Sequence, residues 1–297
     1  MTTLTRPTTD VRATAAGAAT SDAHRPVRLR ADRLQLPALL SAALGAVTVV
    51  GAGGTYVFGG ELRGTPVMNG SARGTALVLV ALALPVLGAA AARALRGSVA
   101  AVPVWIGATA YVAYNSVLLA LATPFNRFFV VYEAMLALSW LTLGALLLRT
   151  DREAVARRLR AAPARGLAVY LGAFVVLNTL TWLRAIVPAL GDPTPAFLEG
   201  SGLTTNPVYV QDLALWLPLA GLAAWWLWRR RAVGYLAAAS VLVFWTLESV
   251  GVATDQWFGA RAEPTSTLAT TEGSVLFLVL AVVGLVPLAL MFRRPRG

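Results

Sequence analysis

Residues 273–292 read GSVLFLVLAVVGLVPLALMF, twenty positions without a charged side chain, closed by Arg293-Arg294. At 1.5 Å per residue such a helix is about 30 Å long, the thickness of a bilayer hydrocarbon core, so this stretch predicts a membrane span. Working back from it, comparable apolar runs occupy 35–58, 75–97, 99–122, 127–148, 166–188, 207–228 and 232–254. The fold class expected is therefore all-α, a polytopic membrane bundle of about eight transmembrane helices over 35–292. Composition agrees: 57% of the 297 residues are hydrophobic, 13% are charged and mean hydropathy is +0.67. A soluble domain would carry roughly 25% charged residues, so an ordinary water-soluble globule is excluded.

Residues 1–34 are polar, broken by Pro7 and Pro26, and predict a disordered tail. The apolar run after them is too long for a signal-peptide core and reads as a retained first span. Of 25 Arg, 20 fall in the N-terminal tail and the segments 93–98, 149–165, 229–231 and 293–297, all on one side of the membrane. The positive-inside rule puts that side, both termini and the basic 293–297 segment in the cytoplasm. Nine of the 14 acids lie on the other side or in the outward halves of the spans. Trp225, Trp226 and Trp228, just before Arg229-Arg230-Arg231, read as an aromatic anchor at the inner interface. The net charge of +11 is explained by attraction to anionic lipid, so the lipid bilayer is the partner and nucleic acid is not. Arg-only basicity with abundant Ala, Gly and Val points to a bacterial coding background, hence a bacterial cell (cytoplasmic) membrane.

Cys is absent and the one His, His24, lies in the tail, which leaves no thiolate or imidazole ligand in the spans and predicts no metal and no cofactor. The absence of Lys excludes a Schiff-base pigment. An ionisable group inside a span costs about 2.5–3.5 kcal/mol on insertion scales, so each one asks for a reason. They are Glu133, Arg184, Asp212 and Glu248, joined by Asn115 and Asn178. All sit in the outward half. Asn178, Thr181 and Arg184 share an arc at i, i+3 and i+6, while Trp216 and Trp245 lie one turn from Asp212 and Glu248. The expected ligand-binding set is Asn115, Glu133, Asn178, Arg184, Asp212, Trp216, Trp245 and Glu248, around an outward-facing, partly acidic pocket. The competing structural reading makes these groups caps or interhelical hydrogen bonds, with Asn126 and Asn206 as N-caps and Arg184 reaching the interface.

The run Gly200-Ser201-Gly202-Leu203-Thr204-Thr205-Asn206-Pro207 predicts a helix start at Asn206-Pro207 and offers a lid over the pocket. The third and fourth spans resemble the fifth and sixth in the spacing of Asn115, Asn126 and Glu133 against Asn178, Asn206 and Asp212, a match that chance accounts for. Gly45, Gly51, Gly53 and Gly54 suit close helix packing.

The stretch from Gly200 to Leu213, with Tyr114-Asn115 and Phe125-Asn126, resembles a family of uncharacterised bacterial multi-pass membrane proteins. The resemblance covers most of the membrane region. It implies a multi-pass membrane fold and carries no catalytic assignment. The leading functional expectation is binding or transport of a small amphipathic or cationic molecule, with proton coupling through Glu133, Asp212 or Glu248. The alternative is a membrane-embedded acid/base enzyme acting on a lipid or isoprenoid substrate, using Asp212 and Glu248 with Arg184 stabilising negative charge. An accessory protein whose spans contact a partner is a third reading.

Overall fold

A computed structural model describes residues 31–293 and contains no strand among them. Nine helices follow one another: α1 (Gln35–Val57), α2 (Pro66–Leu95), α3 (Ala101–Leu121), α4 (Phe129–Arg149), α5 (Arg152–Leu159), α6 (Ala164–Ile186), α7 (Pro207–Trp228), α8 (Ala232–Ala262) and α9 (Thr271–Phe292). All but the short α5 are long and apolar enough to cross a membrane. The chain is an integral, multi-pass membrane protein.

Helix ends differ from the sequence expectation in two places. α2 begins at Pro66 rather than 75, and α8 continues to Ala262 rather than 254. The added turns carry polar residues that read as loop, and three of them have partners. Asn69 exchanges two 3.0 Å hydrogen bonds with Gly64, Arg73 Nε donates to the Tyr56 carbonyl at 3.1 Å, and Gln256 bonds Leu268 and Thr270. The connection after α4 holds α5, which starts where the Asp151 carboxylate accepts from the Ala154 N–H at 3.0 Å. Residues 31–34, the end of the expected tail, form a 3₁₀ turn with Leu34 buried. The remainder of that tail and 294–297 lie outside the described residues.

α3 is the central helix, buried over most of its length, with α8 beside it. The arginine-rich ends share one face of the bundle: an Arg149 guanidinium nitrogen donates to the Arg33 carbonyl and Arg293 Nε to the Ala161 carbonyl. On the opposite, arginine-poor face, Glu263 accepts from the Val67 N–H at 3.1 Å and Arg127 pairs with Glu61 at 3.7 Å. Hydroxyls inside the spans mostly bond the carbonyl four residues back, as Thr109, Ser116, Ser240 and Thr246 do, which satisfies them without water. Trp105 Nε1 to Ser41 Oγ at 2.9 Å and the Thr55–Tyr132 hydroxyl pair at 2.6 Å tie α1 to α3 and α4.

Helix packing without a hydrophobic drive depends on close approach, which small residues permit. Gly70 and Gly74, one GxxxG pair on α2, let that helix lie against the α8 backbone. A Cβ at either would stand 2.6 Å from a carbonyl oxygen, of Phe258 or of Thr254. In α1, Gly51 and Gly54 receive Met135 and Phe128, whereas Gly45 and Gly53 face open space.

Two hairpins repeat at a spacing of 133 residues, and they are α2–α3 and α7–α8 rather than the pair that sequence spacing suggested. Each first helix contains one π turn, Leu79–Ala83 and Asp212–Trp216, followed by Pro85 and Pro218. A proline lacks the N–H that would serve the carbonyl four residues back, and the wider turn absorbs this. The tight turns also match. Gly97 N–H bonds Ala94 at 2.9 Å and Arg230 N–H bonds Leu227 at 2.8 Å, while Ser98 N–H bonds Arg93 at 2.9 Å and Arg231 N–H bonds Trp226 at 3.0 Å. Gly97 and Arg230 share the left-handed conformation, φ 92° and 53°. In this register Gly107 matches Ser240 and Asn115 matches Glu248. Each member touches its own counterpart, Gly107 against the Ser240 carbonyl and Asn115 hydrogen-bonded to Glu248. Equivalent residues meet only near a twofold axis, so α3 and α8 cross on an approximate one running along the bundle.

Candidate functional site

The axis carries the site. On α8, Glu248, Gly251 and Asp255 lie at i, i+3 and i+7, one face two turns long. Facing it on α3, Asn115 is 2% exposed. Its amide donates to the Tyr111 carbonyl at 3.0 Å and to Glu248 Oε2 at 3.2 Å. Tyr111 packs its ring on Gly251, where a Cβ would stand 2.6 Å from the hydroxyl, and that buried hydroxyl has no hydrogen-bond partner.

The π turn of α7 presents the third acid. Asp212 Oδ2 accepts from Trp182 Nε1 of α6 at 2.9 Å, and the Tyr114 hydroxyl approaches the same carboxylate. The neighbouring Gln211, buried, donates to the Tyr114 carbonyl at 3.4 Å and accepts from Trp216 Nε1 at 3.1 Å. Trp216 is stacked between Phe244 (centroids 5.0 Å apart) and Trp140 (5.9 Å), with Tyr114 tilted at 5.9 Å. Trp245 rests on Phe174 at 4.0 Å. Glu248 lies within electrostatic range of both Asp212 and Asp255. Among the described residues the one ion pair is Arg127–Glu61, so none of these three carboxyls has a basic partner.

Two cavities open beside the cluster towards the arginine-poor face. One, about 170 Å³, is bounded by Asp255, Gln256, Ser71, Thr75, Thr123 and Asn206. The other, about 420 Å³, lies between the end of α3 and the start of α7, with Gln211 in its wall. The loop before α7 lines both, through Ser201 and Leu203 in the first and Gly202 to Thr205 in the second.

Of the residues singled out in the sequence, the structure gathers Asn115, Asp212, Trp216, Trp245 and Glu248. It leaves three out. Glu133 is exposed, because the inward face of α4 is set by Tyr132, Met135, Ser139 and Thr142, and one residue's step turns a side chain by about 100°. Arg184 and Thr181 are exposed as well, on the lipid-facing side of α6. Asn178 is half-buried and spends its amide on the Phe174 carbonyl at 2.9 Å. Asn206 caps α7 as expected, accepting from Val208 N–H at 2.9 Å, whereas Asn126, two residues ahead of the α4 cap Phe128, accepts from the Phe128 N–H at 2.9 Å.

Asp255 is the member that sequence inspection missed, since the seventh span was ended one residue before it. The available signal was its i+7 spacing from Glu248. Comparison with protein-family models, with curated proteins and with solved structures finds no match for this chain.

Proposed function

We propose that the protein binds a small amphipathic organic cation in the arginine-poor half of the bundle, with Asp212, Glu248 and Asp255 as its counter-charge. The observation that carries this reading is the set of three intramembrane carboxyls with no basic partner among the described residues. Unpaired acids at that depth are costly and mark ligand or proton sites. The cavities beside the cluster are lined largely by aliphatic, hydroxyl and amide side chains, with Asp255 the one acid in either wall, which suits an organic cation better than a bare metal ion. The duplication supports the same reading. Where α7 has Gln211, Asp212 and Trp216, the matched positions of α2 are Val78, Leu79 and Ala83. A π turn before proline is therefore buildable from apolar residues alone, and the polar set in α7 serves something other than the fold.

The arginine-rich face belongs on the cytoplasmic side of a bacterial membrane, which turns the pocket outward. A cation entering such a site displaces protons from the carboxyls, and that exchange supplies coupling for transport. The enzyme reading loses support at Arg184. Two residues beyond Trp182 on α6, it points about 200° away from the side that reaches Asp212.

The test is quenching of tryptophan fluorescence by tetraphenylphosphonium, a lipophilic cation, against neutral triphenylphosphine oxide. Saturable binding of the cation alone, weakened in Asp212→Asn, Glu248→Gln and Asp255→Asn, supports the proposal. Equal binding of both probes, or no saturable binding of the cation, overturns it.

A further inference from the structure

On the arginine-rich face, the ends of α6 and α7 leave an open groove of about 320 Å³ on the surface of the bundle. Its lining comes from one face of each helix. Ala168 and Val169 belong to the stripe of α6 that Arg165 opens, at i, i+3 and i+4. Gly221, Ala224, Trp225 and Trp228 form the i, i+3, i+4 and i+7 stripe of α7. Buried Ala168 and Ala224 make the floor, and the exposed Val169, Trp225 and Trp228 make the walls. Gly221 keeps the floor open rather than drawing the helices together. A Cβ there would meet only Val175, at 3.9 Å, whereas at Gly70 or Gly74 it would stand 2.6 Å from a backbone oxygen. Two arginines stack on the walls. The Arg165 guanidinium lies 5.7 Å from the Trp228 ring centroid and that of Arg229 lies 4.6 Å from Trp225, both within the ~6 Å reach of a cation–π contact. Among the described residues neither has a carboxylate partner. Stacking holds a guanidinium by its face and leaves its N–H edge for an anion, and a phosphate suits that edge.

We propose that this groove binds an anionic phospholipid, its phosphate held by Arg165 and Arg229 and one acyl chain laid along Ala168, Ala224 and Gly221. Charge complementarity selects the occupant. Two guanidiniums at the rim call for an anion, the apolar floor beside them calls for a hydrocarbon chain, and an anionic lipid of the adjoining leaflet offers both in one molecule. Basic pockets between helices take lipid headgroups on the same grounds. From Gly221 to Trp228 the α7 stripe runs about 10 Å along the helix, so the part of the chain nearest the headgroup is the part held. The groove lies at the opposite end of α7 from Asp212, and the inference stands independently of the cation site.

The experiment is native mass spectrometry of the full chain, released from detergent after titration with phosphatidylglycerol or with phosphatidylcholine of the same acyl chains. One phosphatidylglycerol should bind at concentrations where phosphatidylcholine does not. Arg165→Gln and Arg229→Gln should each weaken that binding about fivefold, the equivalent of about 1 kcal/mol per arginine near a membrane surface, and the double variant about thirtyfold. Gly221→Leu fills the floor at a point where a Cβ has room, so it should weaken binding with both arginines in place. Arg157→Gln, at an exposed position of α5 outside the groove, is the control and should leave binding unchanged. Equal binding of the two lipids overturns the proposal, and so does an Arg157→Gln protein as impaired as Arg165→Gln and Arg229→Gln, since either result reduces the effect to bulk attraction between charge and bilayer. Binding that Gly221→Leu leaves intact overturns the groove as the seat of the acyl chain.

Discussion

Replacing Gly74 by Ala tests the packing of α2 on α8 quantitatively. The new Cβ would stand 2.6 Å from the Thr254 carbonyl oxygen, 2.8 Å from Asp255 Cα and 2.9 Å from Asp255 N. All three are backbone atoms of α8, so no rotamer change relieves the contact. Restoring an ordinary separation of about 3.5 Å requires α2 and α8 to part by roughly 1 Å. Overpacking of this kind costs about 1–3 kcal/mol, against which Ala returns up to about 1 kcal/mol of helix propensity. The net expectation is a loss of about 1–2 kcal/mol. Gly53→Ala is the control, because a Cβ there meets nothing within 4 Å and only the propensity gain remains. The two substitutions should therefore shift stability in opposite directions. Unfolding by sodium dodecyl sulfate in mixed micelles, followed by circular dichroism, reads both. A Gly74→Ala protein as stable as Gly53→Ala would refute the packing of α2 on α8 described above.

Other outcomes follow from single contacts. Tyr111→Phe removes a buried hydroxyl without a partner, so unfolding should show no loss of stability and a gain of up to about 1–3 kcal/mol; a clear loss would mean that the hydroxyl is bonded. Trp182→Phe deletes the N–H bond to Asp212 and should cost about 0.6 kcal/mol, the average for interhelical bonds in membranes, and at most about 1.7 kcal/mol in the same assay. Asp151→Ala uncaps α5 and should cost about 0.5–2 kcal/mol. Because protons and organic cations compete for the same carboxyls, tetraphenylphosphonium affinity should rise with pH, by at most about tenfold per unit for each proton displaced. The triple variant Asp212→Asn/Glu248→Gln/Asp255→Asn should show a flat profile, and a pH dependence that persists there would contradict the competition.

The eight spans were legible because bilayer thickness imposes a length on apolar runs that needs no tertiary information. Their ends were less so. Asn69, Arg73 and Gln256 look like loop residues, and only the partners they find in Gly64, Tyr56 and the 268–270 segment let them continue a helix. Which half of its expected span each acid occupies was legible by counting residues. The facing direction was not. In lipid the outside of a helix is as apolar as its packed side, so nothing in the pattern around Glu133 distinguishes the two. Arg184 and Asn178 failed for the same reason, on a helix that packs mainly against α7. The duplication was hidden because its halves share a proline, a π turn and a tight turn, but almost none of the polar residues that draw the eye.

The central claim is that Asp212, Glu248 and Asp255 form one cation site inside the bundle while Glu133 stands outside it. Labelling with the hydrophobic reagent dicyclohexylcarbodiimide, mapped by peptide mass spectrometry with and without tetraphenylphosphonium, puts it most directly to the test. The cation should protect the three clustered carboxyls over one common concentration range and leave Glu133 labelling unchanged. Protection of Glu133 to the same extent, or labelling of all four indifferent to the cation, would contradict it.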